Sequence, residues 1–153
     1  MMQILELLKI GSNKLKDNKI PSHELDAELI LSKILKKKRE NLLVNLGEEA
    51  KKCDIKSFNN LISRRSKSEP MAYIFENKEF WSKNFLVNRH TLIPRPETEL
   101  LSEGVISLFK NKKIFILDIG TGSGCILLSI LSEMKKSKGV GVDISKEAIE
   151  VAK

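Results

Sequence analysis

The stretch from Ile114 to Leu128 constrains the fold more than any other part of this chain. Ile114, Phe115, Ile116 and Leu117 form an apolar run that ends in a carboxylate, Asp118. Gly120, Gly122 and Gly124 follow at every second position, and an apolar run resumes from Cys125 to Leu128. A short apolar run closed by turn residues reads as a buried strand, and the segment beyond the glycines reads as a helix from about Ser123. Gly139 to Val142 is a second short strand, again ending in a carboxylate, Asp143. Strand, helix, strand and the start of another helix predict a βαβ unit with parallel strands and a right-handed crossover. Lys153 ends the chain soon after Asp143, so the sheet is expected to be barely begun.

The glycines let the backbone turn tightly and let a ligand approach without Cβ atoms in the way. The helix behind them points N–H groups and a positive dipole end at the same space. The dinucleotide fingerprint spaces its glycines as G-x-G-x-x-G, which this turn does not match, so a nicotinamide dehydrogenase is disfavoured. A tight turn with an acid on the strand end suits a compact, positively charged ligand, and S-adenosylmethionine answers that description. Its amino group would meet Asp118 or the turn carbonyls, and its carboxylate would face the helix end. Asp143, at the end of the second strand, stands where a carboxylate accepts hydrogen bonds from ribose hydroxyls. Cys125 reads as small packing, since nothing near it in sequence would activate a thiolate. No metal or proton-relay role is expected of His23 and His90, which lie far apart.

Composition narrows the setting. Among 153 residues, 41% are hydrophobic, enough for a globular core. No apolar run approaches the ~20 residues of a membrane span, and the N-terminus lacks the features of a secretory signal. The two cysteines, Cys53 and Cys125, have no metal-ligand spacing and are read as free thiols in a reducing cytoplasm. Net charge is +7, but Lys outnumbers Arg 22 to 5 and the cations are spread along the chain. A phosphate-binding surface would favour Arg, so no direct, specific nucleic-acid binding is expected.

The first ~70 residues read as a small helical bundle. One helix carries Ile4, Leu8 and Leu15, with Leu5 and Leu7 beside that face. A second opens at Pro21 and Ser22 and carries Leu25, Leu29, Ile30, Ile34 and Leu35. A third holds Leu42, Leu43 and Leu46 and stops near Gly47; a fourth holds Ile55, Phe58, Leu61 and Ile62. From Met71 to Ile93 the aromatics concentrate, and two alternating runs, Ala72 to Phe75 and Phe80 to Val87, predict an antiparallel hairpin or a packed linker. Pro96 then suits a first helical position, with Glu97 and Glu99 in the first turn and the helix continuing through Phe109.

Several motifs occur in a fixed order: Asp26 to Glu28, Arg64 with Arg65, Glu69 to Tyr73, Glu79 to Trp81, Leu92 to Glu99, Leu117 to Gly124, and Val142 with Asp143. In these the chain resembles the HemK/PrmC methyltransferases, which methylate the glutamine amide in the Gly-Gly-Gln loop of peptide chain release factors. The Ile-Pro-Arg-Pro-Glu-Thr-Glu segment is the specific part; the glycine turn alone indicates a class I methyltransferase. The resemblance implies an α/β fold in three parts: a helical substrate-recognition domain over 1–70, a β-hairpin linker over 71–93, and over 94–153 the first βαβ part of a Rossmann-like methyltransferase sheet. It implies S-adenosylmethionine as cofactor, with Gly120, Thr121, Gly122, Ser123 and Gly124 lining the methionine end. Asp143 would hold the ribose, and Pro94, Arg95, Pro96, Glu97 and Thr98 would wall the reacting groups. The partner implied is a release factor, free or on the ribosome.

The family's catalytic signature, Asn-Pro-Pro-Tyr, does not occur in this chain. In relatives those residues orient the substrate amide, and positioning is most of that catalysis. No catalytic residue is therefore assigned, and no methyl transfer is expected from this chain alone, which is read as the N-terminal portion of such an enzyme. Two rival readings stay open: a fragment of a nucleic-acid base methyltransferase, and a non-catalytic module that docks a release factor or the ribosome.

Overall fold

The computed structural model describes residues 2–153. The fold is α/β, and its contacts divide the chain into two compact units, residues 1–74 and 75–153.

The first unit is mainly helical. Strand β1 (Met2–Gln3) leads into α1 (Ile4–Asp17), followed by α2 (His23–Leu35), α3 (Arg39–Val44), β2 (Glu49–Ala50) and α4 (Lys52–Arg65). The two short strands pair antiparallel, Met2 with Ala50, a ladder that the helical reading did not include. The core joins Ile4, Leu7, Leu8 and Leu15 of α1 to Ile30 and Leu31 of α2, Leu42 of α3, and Phe58 and Ile62 of α4. Gly11 permits the close approach of α1 to α4: a Cβ there would lie 2.5 Å from the Phe58 ring. In α2 the buried face is turned from the expected one. Leu25 is exposed, while Asp26, Ala27 and Ser32 are buried. Arg65 accounts for the turn, because its Nε meets Asp26 Oδ2 at 2.7 Å and draws that carboxylate inward. Helix α3 ends at Val44, with Asn45 as its cap, short of Gly47.

Next comes α5 (Met71–Phe75), where alternation had predicted a strand. The Pro70 carbonyl accepts the N–H groups of Tyr73 and Ile74, so proline opens a helical turn here. An antiparallel hairpin forms, but not between the two expected runs: β3 (Lys78–Phe80) pairs with β4 (Lys83–Phe85). Its two-residue turn, Trp81 and Ser82, has positive φ at both positions, 54° and 52°, the signature of a type I′ turn. Phe80 and Phe85 pack edge-on, with centroids 6.2 Å apart, against buried Cys125.

A 3₁₀ turn (Pro96–Thr98) then starts α6 (Glu99–Phe109), with Pro96 at its first position as expected. The parallel pair follows: β5 (Phe115–Ile119), α7 (Cys125–Glu133), β6 (Lys138–Val142) and α8 (Lys146–Ala152), with Asp118 opposite Gly141 and Ile119 opposite Val142. Helix α7 lies on one face of this pair. A Cβ on Gly139 would come within 2.6 Å of the Leu127 side chain, so glycine permits that approach. Among the described residues, no helix is long and apolar enough to cross a membrane.

Candidate cofactor site at the carboxyl ends of the parallel strands

Strand β5 delivers its chain to the turn with Asp118 one residue from the strand end. Gly120, Gly122 and Gly124 all have positive φ, 79°, 54° and 76°, so the spacing serves three left-handed residues in one short turn. The turn is tied to the end of β6: the N–H groups of Gly120 and Thr121 both donate to the Val142 carbonyl, at 2.8 and 3.0 Å. Within the turn Gly124 N–H donates to the Thr121 carbonyl at 2.8 Å, closing it onto the start of α7.

The side chains complete the arrangement. The Thr121 hydroxyl donates to Asp118 Oδ2 at 2.8 Å. Thr121 fits only because residue 141 is glycine, since a Cβ there would stand 2.7 Å from the Thr121 hydroxyl oxygen. Asp143 braces the turn from the other strand, accepting the Gly122 N–H at 2.9 Å on Oδ2 and the Ser145 N–H at 3.0 Å on Oδ1. Those two backbone donors, Ser145 first, hold the Asp143 carboxyl below the ordinary aspartate range. Ser145 in turn caps α8, its hydroxyl accepting the Ala148 N–H at 3.1 Å.

These features fit a compact ligand with a positive centre and an anionic end. A side chain on Gly120 or Gly122 would meet nothing within 4 Å, so the space above the turn is open. The Ser123 hydroxyl is buried without a hydrogen-bond partner among the described residues. Beside it, burial pushes the Cys125 thiol up, which leaves it protonated and suited to packing. Each carboxylate oxygen of Asp143 keeps a lone pair beyond its one backbone bond, which a hydroxyl donor can use. The first-turn N–H groups of α7 supply the counterpart for an anion.

The structure therefore brings Asp118, Gly120, Thr121, Gly122, Ser123, Gly124 and Asp143 into one loop cluster. It does not bond the stretch from Pro94 to Thr98 to that cluster: among the described residues no side-chain hydrogen bond joins the two. Arg95, Pro96 and Glu97 are exposed, and Pro94 is buried. Sequence reading missed the partners inside the cluster. It assigned Asp143 to a ligand, whereas here one of its oxygens also holds the turn and the other the start of α8. The alternation of Gly139 and Gly141 along β6 was the signal that one face of that strand admits no side chains.

Comparison with known proteins agrees with this geometry. Residues 6–75 match the family model described as the PrmC N-terminal domain, and residues 110–153 match a methyltransferase domain. The release factor glutamine methyltransferase of Leptospira interrogans is 44% identical over 151 residues, 97% of this chain and 53% of that protein. Its counterpart in Buchnera aphidicola subsp. Baizongia pistaciae is 43% identical over 152 residues, 99% of this chain and 54% of that protein. A bifunctional methyltransferase of Rickettsia felis is 37% identical, across 98% of this chain and 34% of its own length. The chain thus spans about half the length of the first two relatives and about a third of the last. Matched by both domains and along nearly its whole length, the chain belongs to the HemK/PrmC family of methyltransferases.

Proposed function

We propose that this chain forms the cofactor-binding part of an S-adenosylmethionine-dependent methyltransferase acting on the glutamine side-chain amide in the Gly-Gly-Gln loop of peptide chain release factors. When bound, the cofactor supplies a methyl group activated on a sulfonium. The chain's own residues bind and orient. Gly120, Thr121, Gly122, Ser123 and Gly124 take the methionine end, Asp118 its ammonium group and Asp143 the ribose. Pro94, Arg95, Pro96, Glu97 and Thr98 wall the side from which the amide approaches. Residues 1–70 recognise the release factor, 71–93 link, and 94–153 hold the cofactor, with the cytoplasm as the setting. The Asn-Pro-Pro-Tyr segment that would orient the amide does not occur in this sequence.

The observation that carries this reading is the braced turn, with three left-handed glycines held between Thr121–Asp118 and Gly122–Asp143. The test is to fuse the chain to the remainder of a relative containing Asn-Pro-Pro-Tyr and to supply a release factor with labelled cofactor. Methylation of the Gly-Gly-Gln glutamine is expected. A fusion that binds the cofactor calorimetrically and leaves the glutamine unmodified overturns the substrate assignment; one that binds no cofactor overturns the whole reading.

One observation favours a nucleic-acid base as the alternative substrate. Lys110 and Lys112 before β5 and Lys135 and Lys136 before β6 line, together with Glu133, one hollow of about 530 Å³ at the amino ends of the parallel strands. Offering RNA to the same fusion separates the two, because methylation of bases with steep salt dependence would select the alternative.

A further inference from the structure

The fold gathers positive charge at the end of the parallel pair opposite the glycine turn. Lys110 and Lys112 stand before β5 and Lys135 and Lys136 before β6, and all four are exposed on the lining of one hollow. Two turns set their places. The Lys112 N–H donates to the Phe109 carbonyl at 2.9 Å, with Lys110 and Asn111 between them and Asn111 left-handed at φ 70°. The Ser137 N–H donates to the Met134 carbonyl at 2.8 Å, with Lys135 and Lys136 between them. The two loops are also tied to each other. The Ile114 N–H donates to the Ser137 hydroxyl at 3.2 Å, and the Lys138 N–H to the Ile114 carbonyl at 3.1 Å.

Within the chain these charges have no counterpart. Among the described residues none of the four lysines forms an ion pair, whereas Lys37, Arg39, Arg64, Arg65 and Lys153 each do. The one acid in the lining, Glu133, accepts the neutral Trp81 indole N–H at 3.3 Å. Like charges held together repel, and an anionic ligand relieves that repulsion. The lining also argues against two kinds of anionic partner. Its apolar members, Ile106 and Met134, are half-buried and buried, so it lacks the exposed aromatic or apolar anchor that dominates protein interfaces. It likewise has no apolar face to enter a lipid surface. What remains is a set of point charges beside one amide, Asn111, and such groups contact phosphate oxygens without reading bases. Lysine in place of the forked guanidinium of arginine suits a contact that ignores sequence.

We propose that this hollow is a docking surface for the phosphodiester backbone of a nucleic acid, held without regard to sequence, with Lys110, Lys112, Lys135 and Lys136 each meeting a phosphate. Composition argued against specific recognition of nucleic acid, and the gathering of these four side chains supplies attachment of the non-specific kind. The hollow and the glycine turn lie at opposite ends of five-residue strands, about 16 Å apart at 3.3 Å per residue. A base seated in the hollow would not meet a methyl group at the turn, so the hollow anchors and does not react. The docking surface therefore stands whichever substrate is methylated.

The experiment titrates the full chain into a fluorescent RNA strand of mixed sequence, about 20 nucleotides long, and into a DNA duplex of equal length, and follows anisotropy. Between about 50 and 200 mM salt, four phosphate contacts predict a loss of affinity of about a hundredfold for the duplex and about fiftyfold for the single strand. Tighter binding of one of them identifies RNA or DNA as the source of the backbone. Lys135→Gln with Lys136→Gln should cut the loss on the duplex to about tenfold, with unfolding monitored at Trp81 unchanged. Lys56→Gln with Lys67→Gln removes the same charge from exposed sites in the helical unit and should keep the parent's salt dependence. The proposal is overturned if neither probe binds at the lowest salt, if the Lys135 and Lys136 variant keeps the parent's salt dependence, or if the Lys56 and Lys67 variant loses as much of it. It is also overturned if poly-L-glutamate of matched charge displaces the duplex as readily as unlabelled duplex does, which would assign the hollow to an acidic protein.

Discussion

The Glu99 carboxylate accepts the backbone N–H of Trp81 at 2.8 Å, so the first turn of α6 holds the tip of a hairpin 18 residues earlier in the chain. The Trp81 indole N–H reaches Glu133 Oε1, at 3.3 Å, on the last turn of α7. Two helix ends therefore grip one residue. Glu99→Ala should lower stability by about 1.5–3 kcal/mol, the range for a bond to a charged acceptor, and Glu99→Gln, which keeps an acceptor oxygen, by less. Trp81 is the only tryptophan, so denaturant unfolding followed by its emission reads the effect directly. Equal loss in the two variants would mean that the Trp81 bond contributes nothing.

The same hairpin carries strain at its tip. Ser82 has φ 52°, where an L side chain crowds its own carbonyl at a cost of about 1 kcal/mol. Ser82→Gly should therefore raise the midpoint of thermal unfolding, and Ser82→Val should lower it. A glycine variant less stable than the parent would show that the hydroxyl, and not the turn geometry, selects serine here.

In the helical unit, the pairing of Arg65 with Asp26 is largely shielded from water, their side chains being 15% and 6% exposed. Asp26 also accepts the Ser22 hydroxyl at 2.8 Å, and Arg65 also donates to the Glu69 carbonyl at 3.0 Å. Removing one partner leaves a buried charge unmet, so Asp26→Ala should cost about 3–5 kcal/mol. Asp26→Leu combined with Arg65→Met should recover much of that loss in urea unfolding. Additive losses in the double variant would rule out the pairing as the cause.

Legibility followed the range of each interaction. The glycine turn, the strand ending in Asp118 and the proline-started α6 are set by neighbours a few residues apart, and the sequence exposes them. The buried side of α2 is not local. Its apolar spacing pointed to Leu25, but Arg65, on another helix, pulls Asp26 inward and leaves Leu25 in solvent. Ala72 to Phe75 alternates like a strand, but the Tyr73 and Ile74 N–H groups bond back to the Pro70 carbonyl and close a helical turn. Net charge and the even spread of cations along the chain could not show that two loops gather Lys110, Lys112, Lys135 and Lys136 around one hollow. The grip of Glu99 on Trp81 follows no sequence period.

Two glycines, Gly141 on β6 and Gly122 in the turn, should fail differently. Gly141→Ala places a Cβ 2.7 Å from the Thr121 hydroxyl oxygen and 3.0 Å from its Cβ. Thr121 must then move and loosen its bond to Asp118, with a stability loss of about 1–3 kcal/mol. At Gly122 a Cβ meets nothing within 4 Å, and only its φ of +54° resists substitution, at about 1–2 kcal/mol. The added methyl stands in the space assigned to the cofactor, so in the fusion Gly122→Ala should weaken S-adenosylmethionine binding by more than its stability loss explains. Calorimetric titration beside thermal unfolding checks this. Unchanged affinity in Gly122→Ala would place the ligand elsewhere.

Asp143 gives a prediction with a fixed sign. The Ser145 and Gly122 N–H groups bond its ionised form, which lowers its folded pKa below the ordinary value of 3.8. A carboxyl depressed on folding contributes stability that is fully present above its unfolded pKa and is lost as pH falls through the folded one. The difference in urea midpoint between the parent and Asp143→Asn should therefore hold steady from neutral pH down to about 4 and shrink below it. Glu69, held down by Arg64, and Glu147 are depressed as well and remain in both proteins, so each will lose stability in acid. Only the difference between the two reports on Asp143. A difference that stays constant to pH 3 or widens there would mean that the charge on Asp143 does not brace the turn.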